Sequence, residues 1–298
     1  MTKLNLRAFC QILILCGVAV AQNTSPANEW QAVEQALGRA GQVQADGAYK
    51  AGMPRGDMNV TVAGTQVKPA LALGSWVAFS KPGAGAMMMG DLVLAEDEVT
   101  PVMTSLQSNG VEITALHNHV FHESPRVMYM HISGHGDAVK LAAAVKAAIS
   151  LTKTPAPKPP ASASQDIGID TAAIEQTLGY KGKINGGVFQ VGVPRAETIT
   201  ESGMAVPASM GLATALNFQP TGNGKAAITG DFVLIGKEVN PVIKALRKNG
   251  IEVTALHSHM LDEQPRMFFM HFWANDDAVN LAKGLRSALD ETNSQKGK

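Results

Sequence analysis

One unit is written twice in this chain, and that constrains its architecture more than any other feature. Residues 90–149 (GDLVLAEDEVTPVMTSLQSNGVEITALHNHVFHESPRVMYMHISGHGDAVKLAAAVKAAI) return without a gap as residues 230–289. The second tract reads GDFVLIGKEVNPVIKALRKNGIEVTALHSHMLDEQPRMFFMHFWANDDAVNLAKGLRSAL, so His117 answers His257 at an offset of 140, with about half the positions identical. Upstream the match is weaker: AVEQALG from Ala32 answers AIEQTLG from Ala173, and Met53-Pro54-Arg55 answers Val193-Pro194-Arg195. The stretch TKTPAPKPPASASQ separates the copies. Its Pro, Ala and Ser favour extended polyproline II, a semi-rigid spacer. Repeats this long and this few make a duplicated domain, not a solenoid. The expected organisation is a first repeat domain over 28–150, a linker over 151–165, a second repeat domain over 166–290 and a polar tail over 291–298.

The N-terminus reads as an export signal over 1–21. Lys3 and Arg7 precede an apolar run over 12–20, and Ala19-Val20-Ala21 supplies a small-x-small cleavage site before Gln22. The run is too short for a comfortable membrane span, so no transmembrane segment is expected in the mature chain. The expected destination is the periplasm or the exterior. Lipid attachment at Cys16 is the less favoured alternative, because Leu15 stands where a small residue is needed. Cys10 and Cys16 both lie inside the signal, which leaves the mature chain no disulfide and no thiolate ligand. Removing Lys3 and Arg7 leaves 25 − 2 = 23 basic residues against 25 acidic ones. Nucleic-acid binding, which needs a basic surplus, is therefore not expected. Hydrophobic residues at 45% against 17% charged suffice to bury a core. Small-molecule ligands or protein partners remain.

The pattern predicts an α+β fold of two homologous domains, each a mainly antiparallel sheet covered by helices. Each half opens with a helix (30–37; 171–178), followed by short strands over 48–53, 59–62 and 76–79. The second part of each half reads strand, helix, strand, strand, helix. In the first copy this means a strand over 87–94 and a helix over 98–108 that stops at Asn109-Gly110. Strands over 111–119 and 127–133 follow, and then a helix to about 149 capped by Asp137. The return strands (127–132; 267–272) are apolar on both faces, as central strands are, so the halves are expected to pack together.

The chemistry falls on the hairpin. Alternation puts His117 and His119 on one face, and odd-with-odd pairing brings His131 opposite or diagonal to His117. His257, His259 and His271 repeat that spacing, so six of the eight histidines occupy two H-x-H-x11-H frames. These are the candidate metal ligands. Glu123 and Glu263, in the connecting loops, could add an oxygen or act as a base. Such a donor set suits Zn, Mn, Fe or Cu. Arg126 and Arg266, each after a proline, could grip a carboxylate or phosphate substrate, or could pair with the neighbouring Glu to fix the turn. Arg55 and Arg195 invite the same comparison. Met87 to Met89 read as core filling more readily than as Cu(I) ligands. The run Glu96-Asp97-Glu98 suits a helix N-terminus and needs no further role. His122 and His135 face Asp262 and Asn275 in the other copy and receive no central role.

The tract ALHNHVFHESPRVMYMH and its partner ALHSHMLDEQPRMFFMH resemble the signature of a bacterial family of domains of unknown function, typified by the mycobacterial lipoproteins LppY and LpqO. The resemblance covers nearly the whole mature chain in two copies. It implies an exported, often duplicated protein and supplies no reaction, substrate or cofactor. The function expected from the residues is transition-metal binding at a His/Glu site in each half, with metal-dependent chemistry on a small anionic substrate if the protein is an enzyme. The alternatives are a non-catalytic module that binds a ligand or partner through structural His and Arg networks, and metal-free acid–base catalysis by a histidine.

Overall fold

The computed structural model describes residues 29–81, 83–157 and 166–297, together with Met1. The signal segment with its two cysteines, and most of the linker, lie outside the described residues. Among the described residues the chain forms seven helices and seventeen strands in two repeated halves, an α+β fold with antiparallel sheets.

The first half contains α1 (Gln31–Leu37), β1 (Gln42–Val43), β2 (Tyr49–Pro54), β3 (Thr61–Val62), β4 (Thr65–Gln66), α2 (Pro69–Ala72) and β5 (Gly74–Phe79). It continues with β6 (Ala86–Ala95), α3 (Glu96–Ser108), β7 (Glu112–His117), β8 (Glu123–Ser124), β9 (Val127–Gly136) and α4 (Ala138–Ile149). The second half opens with α5 (Thr171–Leu178), β10 (Gly182–Asn185), β11 (Val188–Pro194), β12 (Thr200–Glu201) and β13 (Met204–Ala205). A 3-10 turn at Ala208–Met210 precedes β14 (Ala213–Gly222), β15 (Lys225–Ile235), α6 (Val239–Lys248), β16 (Glu252–His257), β17 (Met267–Asp277) and α7 (Ala278–Leu289). The main sheets run β1-β2-β5-β6-β9-β7 and β10-β11-β14-β15-β17-β16, one strand order repeated.

The helix ends follow local chemistry. Asp137 accepts from the Lys140 amide at 2.9 Å and Asp277 from Asn280 at 2.8 Å, satisfying donors that the first helical turn leaves free. Glu98 does more than complement a helix dipole. Its carboxylate accepts from the Ala95 and Lys153 amides and meets Arg55 at 2.6 Å, while Arg55 also pairs with Asp57 at 2.7 Å. Glu238, Glu197 and Arg195 repeat this knot. Arg55 is 1% exposed and Arg195 3%, so neither guanidinium is free to hold a ligand. Both brace the start of a helix against the sheet.

Strand alternation sends each sheet's two faces to different places. On β6 and β9 the residues Met88, Leu92, Leu94, Met130 and Ile132 pack under the helices with Val102, Leu106, Leu141 and Val145. Ile228, Phe232, Leu234, Met270 and Phe272 do the same in the second half. The opposite faces meet each other. Met87, Met89 and Ala78 pack with Val233, Met260, Met267 and Phe269, while Val93, Val127 and Tyr129 share a cluster with Val188, Ala227 and Trp273. The halves therefore stack helix, sheet, sheet, helix. Met87 to Met89 are consumed in this packing. Polar contacts across the seam come in pseudo-symmetric pairs: Lys50 Nζ donates to Ser209 O at 2.9 Å, and Gln190 Nε2 donates to Ala70 O at 2.8 Å.

Candidate metal centre

Between the two apolar clusters of the seam lies a polar one. His131 on β9 pairs in register with Asp91 on β6 and with Ala115 on β7. His117 pairs with Tyr129, so His117 and His131 are diagonal neighbours on one face, the odd-with-odd register expected of the hairpin. A register shift between Ile113 and Ala115 marks the far end of this pairing. His119 follows past the strand end and stacks on Tyr129. In the second half β15, β16 and β17 place Asp231, His257, His259 and His271 in the same way.

Asp91 and Asp231 are the functional candidates that sequence reasoning missed. Each opens its copy in an identical Gly-Asp pair. The glycine is required by close approach, since a Cβ on Gly230 would lie 1.8 Å from Ala215 O and one on Gly90 2.9 Å from Trp76 O. The unchanged pair on an otherwise apolar strand was the available signal.

The six imidazoles form one centre, not two. Across the seam His117 lies against His257 (ring centroids 3.7 Å) and His119 against His271 (3.8 Å), both tilted, while His131 stacks on His259 (3.6 Å). Ligand atoms lie within 4.8 Å of one another in the sets His117, His119, His271 and His117, His131, His257, His259. They do so too in Asp91, His119, His131 and in Asp231, His259, His271. The sequence leaves open whether each half holds its own site or the two share one, and the sets run both ways, two within a half and two across the seam. The H-x-H of each half reaches across the seam to the return-strand histidine of the other, because the two sheets meet on the faces that carry these residues.

Glu123, Arg126, Glu263 and Arg266 are not brought into these sets. Glu263, 1% exposed, accepts from the Met267 amide at 2.8 Å, and Glu123 accepts from Val127 at 3.1 Å. Each carboxylate thus ties down its own hairpin loop, whose Ser124–Pro125 or Gln264–Pro265 bond is cis. Arg266 binds Glu263, the Leu261 carbonyl and Ser258 Oγ. Arg126 points outward, 67% exposed, at 4.0 Å from Glu96. The turn-fixing reading matches the contacts of Glu123, Glu263 and Arg266, whereas Arg126 stands toward Glu96 instead of Glu123.

Electrostatics favours neutral imidazoles. Burial pushes His117 down to about 4 and His271 to about 3. His119, His131, His257 and His259 are lowered by burial first and by neighbouring imidazoles second. Burial also raises Asp91 to about 7 against the pull of Lys50, and raises Asp231 well above the usual carboxylate range. Tautomers are set from outside. His271 Nδ1 donates to Gly230 O at 2.8 Å and His117 Nδ1 to Asn118 O at 3.1 Å, which leaves the Nε2 lone pairs for the centre. Ten buried side-chain polar atoms have no hydrogen-bond partner among the described residues. Seven of them belong here: Asp91 Oδ1, Asp231 Oδ1, His257 Nδ1, and Nε2 of His117, His119, His131 and His271.

Two helix-backed antiparallel sheets pressed face to face over a histidine- and aspartate-lined centre define a duplicated α+β protein whose clustered side chains could hold a metal ion. The chain belongs to the family described as Domain of Unknown Function (DUF1259), whose model matches residues 31–151 and again 172–291. No curated protein matches it. Among solved structures it is similar to EtuB from Clostridium kluyveri, with 9% identity, covering 84% of this chain and 88% of that one at a TM-score of 0.19. It is also similar to PduB, a trimeric bacterial microcompartment shell protein, with 13% identity, 86% and 95% coverage and a TM-score of 0.22. Likeness this slight carries no argument about fold or function. Among the described residues no helix is long and apolar enough to cross a membrane.

Proposed function

We propose that this chain is an exported protein that holds two transition-metal ions in a centre shared by its halves. Export is supported by the signal-like residues 1–21. The observation that carries the metal reading is the concentration of seven unpartnered buried donors in one place. Each such atom costs about 1–3 kcal/mol when left unsatisfied, so together they cost on the order of 10 kcal/mol, comparable with a domain's whole stability. A tightly held metal ion returns that much. Two ions fit the ligand sets, because the crossed groups His117, His119, His271 and His131, His257, His259 share no residue, with Asp91 and Asp231 beside them. Neutral imidazoles with carboxylates and no thiolate suit Zn, Mn, Fe or Cu and disfavour Ca and Mg, which take oxygen ligands.

A purely structural polar network is supported by His257 Nε2 to His259 Nε2 at 2.9 Å, by the outer bonds of His117 and His271, and by aspartate–imidazole approaches of 3.5 to 3.9 Å, longer than ordinary hydrogen bonds. These still leave the seven atoms above without a hydrogen-bond partner among the described residues. Elemental analysis of mature protein purified without a histidine tag tests the proposal. Two ions per chain are expected, falling below one in the His119→Ala/His259→Ala double variant with an unchanged circular dichroism spectrum. A wild-type chain that takes up none of the four metals overturns it.

A further inference from the structure

The eight ligand residues repeat across the seam; their surroundings do not. A cavity of about 20 Å³ lies beside His131 and His259, under Trp76, Met89, Met210, Met260 and Phe269. Two of its lining residues, Thr114 and Ser133, carry buried hydroxyls without partners. Register identifies the counterparts on the other side. Met89 pairs with Ser133 on β9 as Thr229 pairs with Trp273 on β17, so Ser133 answers Trp273. The Trp273 indole packs in a cluster with Leu71 and Leu73, the counterparts of Met210 and Leu212. It fills the space that stays open beside Ser133. The hydroxyls differ likewise: Thr254 donates to His119 O across the seam, whereas its counterpart Thr114 is left facing the cavity. The cavity's cover is also particular to this side. Trp76, which answers Ala215, lies beneath the Lys50 ammonium at 3.8 Å and against Gly211, whose φ of 98° favours glycine.

We infer that only the His131–His259 side of the centre accepts an exogenous ligand, a molecule of two or three heavy atoms bearing a hydrogen-bond acceptor, and that the opposite side is sealed by Trp273. The size follows from the cavity, which has room for one water and little more before the imidazoles are reached. The acceptor follows from Thr114 and Ser133, two hydroxyl donors with no hydrogen-bond partner among the described residues. Apolar walls of thioether, indole and phenyl exclude bulk water from that position.

This inference rests on the metal reading, and its test separates the two. Mature protein is loaded with Cu²⁺ and titrated with azide, followed by the charge-transfer absorption. One azide per chain is expected. Ser133→Trp should weaken azide binding at least tenfold with copper content unchanged, and Trp273→Ser should raise the stoichiometry to two. Ser133→Leu serves as a smaller plug should the tryptophan disturb folding. Azide binding that survives both plugs overturns the inference. Krypton-pressurised crystals of metal-free protein give the second arm: one peak beside Met89 and Phe269 is expected, lost in the plugged variant. Absence of that peak in the wild type overturns the cavity, whereas absence of copper overturns only the metal proposal.

Discussion

The apolar packing of each sheet and its histidine and aspartate positions have diverged differently between the copies. Under the helices the copies exchange side chains of different size: Leu92 stands where the second half has Phe232, Ile132 where it has Phe272, and Val145 where it has Leu285, all buried. One residue away on the same strands, Asp91 and His131 are matched by Asp231 and His271 without change. Apolar packing tolerates such swaps as long as neighbours make up the volume. A donor atom aimed at a shared point has no equivalent substitute. Identity between the copies is nevertheless not proof of ligation. Arg55 and Arg195 are also unchanged, and they serve the scaffold.

The sharpest break in that comparison comes from the arginines. Arg55→Ala and Arg195→Ala each strand two buried or half-buried carboxylates, and should each cost about 3–5 kcal/mol in urea unfolding while metal content per folded chain stays at two. Metal lost in proportion would instead tie this knot to the centre. Next in size is the stabilisation by metal itself: a hundredfold excess over the dissociation constant should add about 2.7 kcal/mol, absent in the His119→Ala/His259→Ala variant. Substituting Phe272→Ile, which copies the first half, should cost under about 1.5 kcal/mol and retain both ions, whereas His271→Leu on the same strand should lose metal.

Acid titration reads the knot directly. Burial raises Glu98 and Asp57, but the Arg55 guanidinium outweighs it and holds both below the usual carboxylate range. Their contribution is complete above the unfolded values of about 4 and is lost as pH falls through the depressed folded ones. Unfolding midpoints should therefore fall in that window for the wild type and less steeply for Arg55→Ala. The smallest effect concerns the loops. Arg126→Ala should change stability by less than about 0.5 kcal/mol, since its pair is exposed, while Arg266→Ala, with four loop contacts, should cost about 1 kcal/mol. Equal costs would erase the distinction between the two hairpins.

What could be read from the chain was whatever local spacing decides. The caps at Asp137 and Asp277, the central place of the apolar return strand, and the common face of His117, His119 and His131 all follow from periodicity and turn chemistry within one hairpin. Asp91 was not legible by that route, because β6 reaches β9 only after an intervening helix and two strands, and its register depends on the whole sheet. The roles of Glu123 and Glu263 turned on which amide each carboxylate meets in the loop. The pairing of His119 with His271 was further still from view, being set by how two separately folded sheets dock.

That docking has a consequence for any shorter version of this protein. A polypeptide carrying one copy presents three imidazoles and a carboxylate on an open sheet, with nothing opposite to close the crossed sets. Only two such polypeptides set face to face would restore them, so the present chain is in effect a covalently joined homodimer. Joining fixes the stoichiometry of the partners at one to one. It also frees each to change alone, as Ser133 and Trp273 have done.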